Sequence, residues 1–114
     1  MIILINKPNT NEQIKKMLVQ FGNYIKVVVD VEKQILAGGC SLHVDCETKL
    51  LQESSKQENL WGGGIDLANK RVEFNSLTNI RPRQDNPSQE ILDKEIRQKF
   101  ESIVRKLIPM ESSQ

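Results

Sequence analysis

The stretch from Tyr24 to Val31, Y-I-K-V-V-V-D-V, constrains the fold more than any other. Side chains alternate along a strand, so Ile25, Val27, Val29 and Val31 share one face and Val28 lies on the other. A β-branched run this dense predicts a central strand covered on both faces. Helices must then cover it, and three segments are candidates. Thr10 and Gln13 have the spacing of a capping box, and Ile14, Met17, Leu18 and Phe21 form one apolar stripe that ends at Gly22. Ser41 to Ser54 is ambiguous. As a helix capped by Ser41 it aligns Leu42, Cys46 and Leu50, with Leu51 beside them. As a strand it alternates Leu42, Val44 and Cys46 with His43 and Asp45, but the pattern dies at Thr48, which favours the helix. The third segment aligns Ile96, Phe100, Ile103, Val104 and Leu107 and stops at Pro109. Asp93 is its preferred cap, and Asn86-Pro87 offers an earlier start.

The other strands are read from shorter signals. Ile2 to Ile5 is an apolar run of strand length. Glu32 to Gln34 makes a turn, and Ile35 to Ala37 returns antiparallel before Gly38-Gly39. Leu60-Trp61 enters a short strand that Gly62-Gly63-Gly64 bends. The order β-α-β-β-α-β-β-α predicts an α+β fold, a single-layer, antiparallel-rich mixed sheet packed by two to three helices. Residues 1–109 make one domain and 110–114 a frayed tail. At 114 residues, 38% hydrophobic and 4% aromatic, the chain builds one thin core, which makes room for a homodimer.

Arg71 to Asn86 reads R-V-E-F-N-S-L-T-N-I-R-P-R-Q-D-N. Its alternation predicts a strand with Val72, Phe74, Ser76, Thr78 and Ile80 inward. Glu73, Asn75, Leu77, Asn79 and Arg81 then face outward. Pro82 cannot donate to a ladder, so pairing ends near it and Arg81 and Arg83 project from the strand end. L-W-G at Leu60 to Gly62, followed by F-N-S-L-T-N-I-R-P-R-Q-D-N from Phe74 to Asn86, resembles a small bacterial domain family of unknown function. The resemblance runs over nearly the whole chain. It implies no reaction or ligand, and no functional residue is carried over from it.

A formal net charge of +1 points to neither nucleic acid nor a membrane surface. Nucleic acid remains the weakest of the partner classes, because non-specific binding is driven by phosphate neutralisation. No stretch approaches the roughly 20 apolar residues of a membrane span. Cys40 and Cys46 are the only cysteines, too few for a disulfide framework, and they fit a reducing cytosol. The expectation is a cytoplasmic protein.

Arg81 and Arg83 are the strongest site candidates. With Asn79, Asn75 and Gln84 nearby, two guanidiniums can clamp a carboxylate or phosphate. The plainer alternative pairs an arginine with Asp30, Asp45 or Asp85. Trp61 can stack on a ligand ring or simply fill the core. His43 lies among Asp45, Cys46 and Glu47 and is the weak candidate for proton transfer. With Glu47 alone it falls short of a zinc site unless Cys40 or a second subunit joins. No metal or cofactor is expected. Three functions follow: a binding module for an anionic ligand or protein partner at the basic strand end, a metal-independent RNase or toxin-like enzyme, and a homo-oligomeric structural protein. The enzyme requires His43 and the arginine pair in one pocket. On the binding reading both arginines can be removed without loss of stability.

Overall fold

The computed structural model describes residues 2–8, 11–17 and 23–109. Five strands form one sheet: β1 (Ile3–Ile5), β2 (Tyr24–Asp30), β3 (Ile35–Gly38), β4 (Leu60–Asp66) and β5 (Arg71–Glu73). They lie in the order β1-β3-β2-β4-β5, and every pairing is antiparallel. The helices are α1 (Asn11–Met17), α2 (His43–Gln52) and α3 (Lys94–Leu107). Thr10, Leu18, Phe21 and Gly22, on which the expected cap, stripe and end of the first helix depended, lie outside the described residues.

The dense β-branched run is the central strand. Ile25, Val27 and Val29 face α3 and are fully buried with Trp61, Ile65, Phe100, Val104 and Leu107. Val28 faces α2, buried with Ala37, Cys40, Cys46, Leu50 and Leu60. Burial at roughly 25 cal/mol per Å² on both faces of one strand makes β2 the hub of both layers. Asp93 caps α3, accepting from the Ile96 N–H at 3.0 Å. Asp30, wholly buried at the end of β2, accepts from the Glu32 and Lys33 N–H groups and from the Ser55 hydroxyl, which fixes the turn into β3.

Four expectations are corrected. β4 does not bend at Gly62-Gly63-Gly64 but runs straight through them, pairing with all of β2. The glycines allow close approach instead. A Cβ on Gly62 would stand 2.7 Å from Ser76 Cβ and 2.8 Å from Thr78 Oγ1, and one on Gly63 would meet the Glu73 carbonyl and the Phe100 ring. The N-cap of α2 is Leu42, with no side-chain cap bond, rather than Ser41. Cys40 and Cys46 are joined by a disulfide, because the first turn of α2 brings Cys46 back to Cys40, two residues past the end of β3, with their Cα atoms 5.7 Å apart. The long strand stops at Glu73, and Leu77–Asn79 and Pro82–Gln84 form 3-10 turns.

The early stop of β5 has a chemical cause. Asn79 is wholly buried, and its side-chain amide takes the place a strand would occupy beside Gly62. Its Oδ1 accepts from the Gly62 N–H at 2.8 Å, and its Nδ2 donates to the Gly62 and Gln89 carbonyls at 2.9 Å each. A side-chain amide carries the same donor and acceptor as a peptide group, so on the side away from β2 the buried backbone of Gly62 is satisfied without a second partner strand. Asn86 does similar work, donating to the Asn79, Ser88 and Glu90 carbonyls and accepting from the Leu92 N–H. These two amides fold residues 74–92 back over the sheet.

Candidate functional site

Two walls rise from β4 on the α2 side of the sheet. One wall is Ser76 to Thr78, resting where Gly62 has no side chain, with the Ser76 and Thr78 hydroxyls bonded at 2.7 Å. The other is the start of α2, where His43 Nε2 lies 2.7 Å from the Gly63 carbonyl oxygen. A carbonyl only accepts, so Nε2 carries the proton. Between the walls is a cleft of about 430 Å³, within the usual size of small-ligand sites. It is lined by Lys26, Leu42, His43, Val44, Leu77 and Thr78, with Asn75, Ser76 and Gln89 completing its polar edge.

Leu42, Val44 and Leu77 are 60%, 48% and 71% exposed, so three large apolar side chains meet solvent at one hollow. Lys26 supplies the charge, its Nζ donating to the Ser41 carbonyl at 2.8 Å. Among the described residues no carboxylate lines the cleft. Burial lowers the His43 pKa, and nearby Lys26 adds to this against the opposing effect of the Gly63 bond. The imidazole is therefore neutral at pH 7, with Nδ1 free of a proton.

Arg81 and Arg83 part company. The Arg81 side chain is only 10% exposed, and its guanidinium is occupied by its own chain. Nε donates to the Thr78 carbonyl at 2.9 Å and Nη1 to the Gln57 carbonyl at 2.8 Å, while Nη2 donates to the Leu60 carbonyl. Nη2 also lies 3.6 Å from Glu47 Oε2. The guanidinium carbon stands 4.7 Å over the Trp61 ring, within cation–π range. Burial lowers the Arg81 pKa against the opposing pull of Glu47, yet a guanidinium stays charged throughout the physiological range. Arg83 is exposed and makes no hydrogen bond or ion pair among the described residues. It borders a separate hollow of about 560 Å³ with Gln57, Glu58, Arg81, Pro82 and Gln84.

The expected site residues are thus dispersed. Asn75 joins His43 in the α2 cleft, Asn79 is interior, and Trp61 is 2% exposed in the core. Gln84 borders the Arg83 hollow and donates to the Glu58 carbonyl. His43 and Arg81 reach β4 at Gly63 and Leu60, three residues or about 10 Å apart along a strand. They line different hollows, so the single pocket required for metal-free phosphodiester cleavage is not formed between them. Cys40 is held in the disulfide and Glu47 faces Arg81, so neither joins His43 as a zinc ligand. Among the described residues no group of three or more His, Cys, Asp and Glu side chains is placed to hold a metal.

Leu42, Val44, Leu77 and Lys26 were not anticipated as site residues. The one signal was Leu77, a lone leucine on the polar side of the expected strand.

Fold and cleft together define a small α+β domain, one antiparallel sheet with helices on both faces and an open hollow beside the middle helix. Residues 3–107 match the family described as "Protein of unknown function (DUF5674)", and the chain belongs to it. Comparison with curated proteins and with solved structures finds no match. Among the described residues no helix is long and apolar enough to cross a membrane.

Proposed function

We propose that this domain is a non-enzymatic binding module whose α2 cleft takes a small amphipathic anion. One observation carries the reading: three exposed apolar side chains, Leu42, Val44 and Leu77, converge on a hollow whose lining among the described residues includes Lys26 and no carboxylate. An apolar body lies along the leucines and valine, and an anionic head meets Lys26. The amides of Asn75 and Gln89 and the Ser76 and Thr78 hydroxyls offer donors at the edge. Removing apolar surface from water drives the first contact, and charge sets the orientation of the second.

The test is titration with octanoate, followed by amide chemical shifts, with octylamine as the cationic control. Octanoate is expected to shift residues 42–44, 75–78 and 89, and octylamine to leave them in place. Leu77→Ser and Lys26→Gln should each weaken octanoate about tenfold, the equivalent of roughly 1.4 kcal/mol. Absence of shifts at the cleft refutes the reading. Shifts confined to residues 57–58 and 82–84 would favour a second reading, an anion held by Arg83, whose guanidinium is unengaged among the described residues. Self-association through the same apolar rim, seen by sedimentation, would replace the ligand with a second copy of the chain.

A further inference from the structure

The Cys40–Cys46 disulfide spans six positions in sequence, and the loop it closes contains Leu42, His43 and Val44. Those three residues form the α2 wall of the cleft. The helix behind that wall packs on the sheet through Cys46 and Leu50, while Leu42 and Val44 themselves face solvent. The N-cap, Leu42, offers no side-chain bond to the helix. Two contacts to the sheet are the His43 Nε2 bond to the Gly63 carbonyl and the Lys26 Nζ bond to the Ser41 carbonyl. We infer that the disulfide is a redox switch for the cleft. Oxidised, it clamps the wall in the ligand-binding shape; reduced by a dithiol, it releases the start of α2 and the cleft loses affinity. This rests on the reading of the cleft as the binding site.

Cys40 and Cys46 are 1% and 0% exposed, under α2 with Val28, Ala37, Leu50 and Leu60. A reductant's thiolate cannot reach either sulfur until the first turn of α2 opens. Reduction therefore proceeds through a transient opening of the wall, and the broken bond then removes the tie that closes it again. In the first step the thiolate bonds to one cysteine sulfur, the S–S bond breaks, and the displaced cysteine thiolate takes a proton. The second thiol of the reductant then attacks the mixed disulfide. This frees the other cysteine and closes the oxidised, cyclic reductant, so two electrons and two protons pass to the protein. A ligand that binds the clamped form must in turn protect the disulfide, because coupling between two equilibria is reciprocal. The outer walls, Asn75 to Thr78 and Gln89, are held by Asn79 and Gly62 and are independent of the switch.

The experiment compares the air-oxidised protein with the same protein after dithiothreitol, and with Cys40→Ser/Cys46→Ser. Each form is read by hydrogen exchange and by octanoate titration. Exchange of the amides at 42–46 should quicken at least tenfold on reduction while those of β2 stay protected. Octanoate should bind the reduced form and the double variant at least tenfold more weakly. Saturating octanoate should raise the dithiothreitol needed for half-reduction. Mass spectrometry that finds free thiols in the oxidised protein overturns the switch, as does unchanged exchange at 42–46. Loss of protection throughout β2 also overturns it, because the bond is then a staple of the whole fold. If exchange responds as expected but octanoate never binds at the cleft, the clamp exists and the ligand reading fails. Equal octanoate affinity in both redox states keeps the binding site and removes its regulation.

Discussion

Arg81→Ala should destabilise the protein by about 3–5 kcal/mol, the usual loss when one partner of a buried ion pair is removed. The structure shows where the loss arises. Glu47, 7% exposed, would keep a carboxylate with its cation gone. The Leu60 and Thr78 carbonyls would lose their guanidinium donors, at about 1–3 kcal/mol for each acceptor left unsatisfied in the interior. The contact with the Trp61 face adds roughly 0.5–2 kcal/mol. The Gln57 carbonyl is at the surface and recovers its bond from water. Arg83→Ala removes no such partner and should stay within about 0.5 kcal/mol of the parent. Urea unfolding measures both, read as midpoint shifts at unchanged slope. At about 4 °C per kcal/mol for a chain of this length, the melting temperature should fall by roughly 12–20 °C for Arg81→Ala. Arg81→Lys should recover less than half, because an ammonium cannot match a planar fork of donors aimed at three carbonyls. A loss below about 1 kcal/mol for Arg81→Ala, or equal losses for the two arginines, would refute the division of roles.

Asn79→Ala should cost about 3 kcal/mol by leaving the Gly62 and Gln89 backbone groups without partners. Asn79→Asp sets a carboxylate against two carbonyl oxygens, which raises its folded pKa above the unfolded value of about 3.9. The variant should therefore regain stability on acidification and lose it as pH rises through the folded pKa, checked by urea midpoints across that range. His43 has a folded pKa below the unfolded value of about 6.5. Its contribution is present above that pH and lost as pH falls through the folded pKa. His43→Gln should lack this component of the acid-side decline in urea midpoint. Tyr24 is pushed up to about 12, by burial first and then by Glu73. Its contribution is present below the unfolded value of about 10 and is lost as pH rises through 12. Ultraviolet titration should show that late ionisation, and Glu73→Gln should bring it down.

The sequence by itself determined those features that follow from side-chain periodicity. The β-branched run at Ile25 to Val29 required cover on both faces, and β2 has it. The stripe from Ile96 to Leu107 behind Asp93 required a capped helix, and α3 starts and ends there. Both signals depend on near neighbours and on one property, where apolar surface must go.

Tertiary structure decided the rest, because the same residue type can serve either solvent or backbone. The alternation from Val72 to Ile80 predicted one long strand, which the structure keeps only through Glu73, with Asn79 buried and Ile80 exposed against that pattern. It could not show that the Asn79 amide would occupy the pairing position beside Gly62 and end β5 at Glu73. Arg81 and Arg83, two positions apart, were alike on paper. Only the fold brings Glu47, Leu60 and Thr78 around one and leaves the other beside an open hollow. The cleft at His43 unites residues from β2, α2 and the Asn75 to Thr78 segment, and no local spacing encodes such a meeting. What made it possible was one glycine and one carbonyl in β4: Gly62, without a side chain, lets Ser76 and Thr78 rest on the strand, and the Gly63 carbonyl takes the His43 imidazole, which leaves a hollow between the two.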